Sequence, residues 1–155
     1  EKKSTFISFL VPRVGHLLRK MGLLESLEFS WVQKTFQGYT DTNPGWLESK
    51  KALHTISETC KKQKIDFIIA IYPMFVELKS YKGKNVHKII KQYCNSINVQ
   101  NIDLLPIFEN KNGRDYWINF MDGHPNGIAH KLTAKALLSI VKSNIDEYSI
   151  NYNNP

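Results

Sequence analysis

The chain has 155 residues, of which 42 % are hydrophobic and 23 % are charged. That length suits one folded domain with a core of its own, and the balance excludes an intrinsically disordered chain. No apolar run approaches the roughly 20 residues that a membrane-spanning helix requires, so we expect no transmembrane segment.

The net charge of +7 arises from 21 lysine and arginine residues against 14 aspartate and glutamate residues. The lysines are scattered, mainly over the polar faces of predicted helices, and no nucleic-acid-binding motif accompanies them. We therefore expect no nucleic-acid partner, although the charge can attract anionic substrates over a long range. The alternative is that the charge serves nucleic-acid binding, which salt-sensitive binding to DNA or RNA would reveal.

The first 38 residues are predicted to form a helical N-terminal segment or insertion. Between residues 5 and 36, leucine and phenylalanine recur at three- and four-residue spacing, which is typical of helices. Pro12 would start or kink one of them, and Gly22 would end one. The segment could pack on the main domain or cover a site.

The next helix has the clearest start in the chain. Asn43 supplies a capping side chain, and Pro44 follows at the first helical position. The residues that this helix is expected to bury are Trp46, Leu47, Leu53, Ile56 and Cys60. Residues 65–72 then form a continuous apolar run closed by Pro73, which is typical of a strand covered on both faces in a parallel sheet.

A second helix capped by Asn85 and a second strand from Val99 to Leu105 follow in the same order. The last helix is predicted to begin near Pro125 or Asn126. Its expected buried residues are Ile128, Leu132, Ala136, Leu137, Ile140 and Val141. Alternating helices and strands predict an α/β domain over residues 39–145, with a loose tail at 146–155. Two parallel strands alone would make a poor sheet.

The two cysteines, Cys60 and Cys94, each lie inside a predicted helix. No Cys-x-x-Cys motif accompanies them, so a metal site or a disulfide framework is not expected. We interpret both as free, buried thiols, and we predict neither a metal nor a cofactor.

The segment Asp122-Gly123-His124 places a carboxylate two residues before an imidazole. Histidine exchanges a proton near neutral pH, and an adjacent acid can hold its tautomer, as in the base half of a hydrolytic triad. A plain structural turn is the alternative, because Asp-Gly and His-Pro-Asn both favour turns. Asp103 is a second candidate for the acid, although it could equally cap the end of its strand.

The other histidines are weaker candidates. For His16, His54 and His87, which lie within helical patterns with no acid in register, we expect surface or packing roles. His130 lies one helical turn beyond Asn126 and is expected to pack against the loop or bond to it. At the carboxyl ends of parallel strands, residues 72–75, residues 103–106 and the His124 segment would line one crevice.

The sequence resembles the SGNH, or GDSL-type, serine hydrolases. The residues that carry the resemblance follow one order along the chain: Asn43-Pro44-Gly45-Trp46, Ile68 to Phe75, Asp103-Leu104-Leu105-Pro106, Phe108, Trp117, Asp122-Gly123-His124-Pro125-Asn126, Ala129-His130 and Ala134-x-Ala136-Leu137. The resemblance implies a flavodoxin-like three-layer α/β/α fold with a parallel sheet. It also implies metal-free cleavage of esters, often acyl or acetyl groups on lipids and sugars.

By the same resemblance, His124 would be the general base and Asp122 its orienting acid. Many members place the acid three residues before the histidine, whereas here it stands two before, a spacing also met in the superfamily. The family's nucleophilic serine lies in a Gly-Asp-Ser block, and this sequence contains none. We therefore expect the chain to be the C-terminal portion of such an esterase, with the serine and the oxyanion-hole blocks upstream. The alternative is a non-catalytic α/β binding or interaction module derived from the family.

Overall fold

The computed structural model describes residues 13–14, 17–18, 21, 32–120 and 122–152. Of the described residues in the N-terminal segment, 13–14, 17–18 and 32–37 are helical. Pro12, His16 and Gly22, for which the sequence suggested particular roles, lie outside the described residues.

Helices and strands alternate through the rest of the chain. The elements are α1 (Pro44–Lys62), β1 (Ile68–Ile71), a 3-10 turn (Leu78–Ser80), α2 (Lys84–Ser96), β2 (Gln100–Asp103), α3 (Leu105–Phe108), a second 3-10 turn (Gly113–Tyr116), β3 (Trp117–Asn119), β4 (Asp122–Pro125) and α4 (Gly127–Tyr152). The predicted helix–strand order is confirmed over α1 to β2, and with it the general α/β class.

The strands β1 and β2 pair in parallel, with Ile68 opposite Gln100 and Ile71 opposite Asp103. Helix α2 makes the crossover between them, as a parallel connection requires. Both strands are shorter than predicted. Strand β1 ends before Pro73, which has no N–H for the ladder. Strand β2 ends at Asp103, whose carboxylate accepts the N–H of Leu105 at 2.9 Å as the chain enters α3.

Helix α1 begins as predicted, because the Asn43 side chain accepts the Trp46 N–H at 3.1 Å. Helix α2 does not. It starts at Lys84 after Gly83, and no side chain caps it, so the prediction of an Asn85 cap is wrong. A Cβ on Gly83 would lie 2.7 Å from the rings of Phe36 and Tyr81. That close approach favours glycine at the observed cap, which lies two residues before the predicted one.

The hydrophobic core lies mostly in the segments that follow the strands, and not in the strands themselves. Its buried residues are Phe75, Leu78, Tyr81, Leu104, Leu105, Phe108, Tyr116 and Ala129. Phe75 and Phe108 meet edge to face, with ring centroids 4.9 Å apart. In β1 only Ile71 is fully buried, so the expectation of a strand covered on both faces holds only at that residue within the described structure.

Helix α4 begins after Asn126, as predicted, and packs through Ala129 and Thr133, which are both buried. Leu132, Ala136, Leu137 and Ile140 are half-buried. Ile128 and Val141 are 59 % and 41 % exposed, so the prediction that they are buried is wrong. Each lies roughly a third of a turn around the helix from Ala129, off the packed face. The helix continues to Tyr152, into the stretch for which composition predicted a loose tail.

Smaller corrections concern α1 and the cysteines. Leu47 and Ile56 are exposed rather than buried, because Trp46 and Ser57 are the residues of α1 that face the interior. Cys60 and Cys94 are both free, as expected, but only Cys94 is fully buried, whereas Cys60 is half-buried. Burial raises the pKa of the Cys94 thiol.

Candidate functional site

His124 lies on a strand of an antiparallel hairpin, not on a loop. Strands β3 and β4 pair with Trp117 opposite Pro125 and Asn119 opposite Asp122. Sequence patterns did not predict this hairpin, because each strand has only three or four residues and no regular alternation of apolar side chains. The strand presents His124 beside the core rather than on a free turn.

The indole of Trp117 fixes the hairpin to the segment that follows β1. Its Nε1–H donates to the carbonyl oxygen of Phe75 at 3.0 Å. The ring also lies against Gly123, where an added Cβ would be 3.5 Å from the nearest ring atom. One side chain therefore contacts both the first strand's exit and the residue that precedes His124.

Asn126 joins the hairpin to α4. Its side-chain NH₂ donates to the carbonyl oxygens of Asp115, at 2.9 Å, and Trp117, at 3.1 Å. Its side-chain oxygen accepts the N–H groups of Ile128 and Ala129, at 2.9 and 3.1 Å. A single side chain thus caps α4 and bonds to β3, the partner of the strand that carries His124.

Asp122 and His124 are in direct contact. The Asp122 Oδ1 lies 2.5 Å from the ring Nδ1 of His124 and accepts the His124 backbone N–H at 3.0 Å. The backbone bond, reinforced by the ring bond, lowers the pKa of Asp122 below its usual value of 3.8. Because an ionised carboxylate only accepts hydrogen bonds, the neutral ring carries its proton on Nδ1 and leaves the Nε2 lone pair free.

The pair is open to solvent. The His124 side chain is 83 % exposed and that of Asp122 is 39 % exposed. The His124 Nε2 makes no hydrogen bond to any residue that the structure describes. In the described part of the chain, the carboxylate-bound imidazole is therefore exposed, and no hydroxyl or thiol is hydrogen-bonded to its ring.

Asp103 is not the partner of His124. Its carboxylate lies 2.7 Å from Nδ1 of His87, in addition to capping Leu105. The His87 side chain is only 4 % exposed, so it does not have a surface role, and its acid partner lies outside its own helix. Sequence reasoning missed the pair because the acid lies across the sheet, 16 residues later. A signal existed, since His87 is seven residues from buried Cys94 on one helical face, and a buried imidazole requires a polar partner.

Tyr81 completes a buried network with His87 and Asp103. Its hydroxyl lies 3.2 Å from Nε2 of His87 and accepts the N–H of Met74 at 3.1 Å. Burial raises the pKa of Tyr81 to about 12. The neutral phenol therefore donates to Nε2, while the Nδ1–H of His87 donates to Asp103. The Tyr81 hydroxyl, both ring nitrogens of His87 and the Oδ1 of Asp103 then each have a partner of the correct type in this Tyr81–His87–Asp103 network.

The two other described histidines, His54 and His130, belong to neither of these clusters. His54 is exposed on α1. His130 is exposed on α4, and its backbone N–H makes the ordinary helical bond to the Asn126 carbonyl oxygen at 3.0 Å. The Tyr72 hydroxyl contacts Thr133 on α4 at 2.6 Å, so the segment after β1 also meets the last helix.

Two shallow cavities formed by described residues lie elsewhere. One, of about 370 Å³, is at the amino ends of β1 and β2, with Lys61, Asp66 and Asn98 in its wall. The other, of about 350 Å³, lies beside Trp46 and Tyr93. Neither includes His124 or Asp122. Within the described residues there is no group of three or more side chains that could hold a metal ion. No described helix is long and apolar enough to cross a membrane.

Comparisons with known proteins identify no relative of this chain. No protein-family model matches the sequence, and no curated protein or solved structure is significantly similar to it.

Proposed function

We propose that this chain supplies the general base and the orienting acid of an SGNH-type serine esterase. His124 would be the base and Asp122 its acid. The observation that carries the proposal is the 2.5 Å contact of Asp122 Oδ1 with His124 Nδ1 on an imidazole whose Nε2 is exposed. A histidine whose Nδ1 is bonded to a carboxylate and whose Nε2 is accessible is the arrangement that activates a hydroxyl.

The proposed reaction has two steps. The serine oxygen attacks the ester carbonyl while Nε2 of His124 takes the hydroxyl proton, and the same proton then passes to the leaving alcohol. Water next attacks the acyl-serine, with Nε2 again removing and returning one proton. Asp122 stabilises the imidazolium in both steps and is not itself protonated. The reaction consumes one ester and one water and yields an acid and an alcohol.

The serine belongs to a Gly-Asp-Ser block that this sequence does not contain. We propose that an upstream segment of the same protein supplies it, together with the donors of the oxyanion hole. Each such donor lowers the barrier by about 3–4 kcal/mol, so the Asp122–His124 pair alone would be a poor esterase. The substrate would be an ester of a small molecule, a glycan or a lipid.

The fold supports the same proposal at a coarser level. Two parallel strands joined by a crossover helix, with the histidine placed before the last helix, are compatible with part of a flavodoxin-like α/β/α sheet. Ile68, Ile69 and Ala70 are apolar but only half-buried. In a three-layer α/β/α fold, helices would cover these residues on both faces of the sheet, as their composition favours.

The experiment uses the native protein with its upstream sequence. Labelling by a fluorophosphonate probe and hydrolysis of p-nitrophenyl acetate would be measured for the unaltered protein, His124→Ala and His130→Ala. His130 is the matched control, because it is another exposed histidine, six residues along the chain. We expect His124→Ala to abolish turnover and His130→Ala to retain it. Turnover that survives His124→Ala would contradict the proposal.

The missing Gly-Asp-Ser block is also what a binding module derived from such an enzyme would show. In that case the native protein would neither react with the fluorophosphonate nor hydrolyse the ester. The Asp122–His124 contact would then serve only to stabilise the hairpin.

A further inference from the structure

The Tyr81–His87–Asp103 network has no part in the proposed reaction, and it cannot bind a substrate in its present form. Tyr81 and His87 are 6 % and 3 % exposed. The Tyr81 hydroxyl and both ring nitrogens of His87 are already bonded, to Met74, to each other and to Asp103. The Asp103 side chain is 25 % exposed, but the phenol and the imidazole are buried, so we look for their role in the groups that they hold.

One of those groups is the backbone immediately after β1. The Tyr81 hydroxyl accepts the N–H of Met74, and the next residue, Phe75, accepts the indole N–H of Trp117. Two consecutive residues are therefore held by hydrogen bonds, one from the Tyr81–His87–Asp103 network and one from the hairpin. The Phe75 carbonyl also lies close to Gly113, at the start of the second 3-10 turn, where an added Cβ would be only 2.2 Å from the carbonyl oxygen. Little space is therefore left for Phe75 to shift toward that turn.

The path continues from Trp117 to the candidate base. The indole ring lies against Gly123, the residue between Asp122 and His124. Trp117 also pairs with Pro125, the residue after His124, in the hairpin. A displacement of the Phe75 carbonyl would therefore move the ring on which the Asp122-Gly123-His124 strand rests.

We infer that Tyr81, His87 and Asp103 are positioning residues for His124, acting through the backbone of Met74–Phe75 and the indole of Trp117. The buried network sets the position of the turn after β1, and the turn sets the hairpin. The catalytic meaning of this inference rests on the proposed function, but the coupling itself does not. Packing explains how the network can affect His124 without contacting it, because close-packed groups transmit small displacements rather than absorbing them.

The test reads the His124 ring directly by imidazole ¹⁵N NMR of the chain. The His124 signals are those that disappear in His124→Gln. In the unaltered chain we expect the Nδ1–H form to dominate, as Asp122 dictates. Tyr81→Phe removes only the hydroxyl, and Trp117→Phe removes only the indole N–H and part of the ring. Each should shift the ring toward the mixed tautomers of a free imidazole.

Tyr93→Phe is the matched control. Its hydroxyl donates to the Lys50 carbonyl oxygen at 2.6 Å, so the substitution removes a comparable bond on α1 and α2, away from the path. Tyr93→Phe should leave the His124 tautomer ratio unchanged. If Tyr81→Phe does not fold, Trp117→Phe and Asp103→Asn still test the coupling. An unchanged ratio in both Tyr81→Phe and Trp117→Phe, beside a changed ratio in Asp122→Asn, would overturn the inference.

The native protein provides a second, separate measurement. If it is an esterase, Tyr81→Phe should lower kcat roughly ten- to a hundredfold with little change in KM, because misplacing a base affects the chemical step. An unchanged kcat would contradict the catalytic part of the inference. If the native protein has no esterase activity but the tautomer ratio still responds, the proposed function fails and the coupling stands.

Discussion

Asp122 binds two different nitrogen atoms of His124, one in the ring and one in the backbone. One carboxylate oxygen accepts both the ring Nδ1–H, at 2.5 Å, and the backbone N–H, at 3.0 Å. The two bonds fix the ring's orientation relative to its own strand, even though the side chain is largely exposed. An exposed imidazole with a defined tautomer is what a general base requires.

The first prediction concerns the titration of Asp122. Its pKa is lowered by the two bonds from His124, so the stability they add is present above the unfolded value of 3.8 and is lost as pH falls through the folded value. Carboxyl ¹³C NMR of the chain should show Asp122 titrating below 3.8. In His124→Ala the midpoint should move only part of the way back, since the backbone N–H remains. An unchanged midpoint would mean that the ring contributes nothing.

The second prediction concerns Asn126, whose side chain makes four hydrogen bonds. Asn126→Ala removes both the cap of α4 and the ties to the hairpin, and should lower the free energy of unfolding by about 2 kcal/mol. Urea denaturation would measure it. Ser139→Ala is the control, because it removes one exposed bond to the Ala136 carbonyl and should change stability by less than about 0.5 kcal/mol. Equal effects would refute the cap's importance.

The third prediction compares two glycines. A Cβ at Gly113 would lie 2.2 Å from the Phe75 carbonyl oxygen, whereas a Cβ at Gly127 would have no neighbour within 4 Å. Gly113→Ala should therefore destabilise the chain by more than about 2 kcal/mol, since backbone must move. Gly127→Ala, in the first turn of α4, should be neutral or stabilising by up to about 1 kcal/mol. Thermal unfolding of both variants decides the matter, and a stable Gly113→Ala would exclude the close contact.

The fourth prediction uses the phenol of Tyr81. Burial raises its pKa from 10.0 to about 12, so the neutral form stabilises the fold below pH 10 and that contribution is lost as pH rises toward 12. Tyrosinate absorbance during an alkaline titration should show one late-ionising group, and Tyr81→Phe should remove it. If the late step persists in Tyr81→Phe, another tyrosine is responsible and Tyr81 is not as enclosed as its contacts indicate.

Local signals predicted the parts of the fold whose stabilising contacts are local. The start of α1 was readable because Asn43 caps a helix that begins at the next residue. The start of α4 was readable for the same reason at Asn126. The Asp122–His124 contact was also predictable from the sequence, because the two residues are only two positions apart in the chain.

Local sequence signals did not predict the hydrogen-bond partners of Asp103. From position alone it could serve His124 or cap its own strand, and in the structure it caps Leu105 and binds His87. The crossover between β1 and β2 brings α2 over the sheet and decides that choice. The hairpin that carries His124 was likewise missed, because its short strands are stabilised by Trp117 and Asn126 bonding to distant backbone.

The amino-acid order by itself determined the alternation of helices and strands, the two asparagine caps and the presence of an acid beside His124, since each depends on contacts within a few residues. Only the tertiary structure decided which faces of α1 and α4 are buried, where Asp103 bonds and how the hairpin is held. Those outcomes depend on contacts between segments far apart in the chain, and their free energy depends on packing that no local pattern encodes.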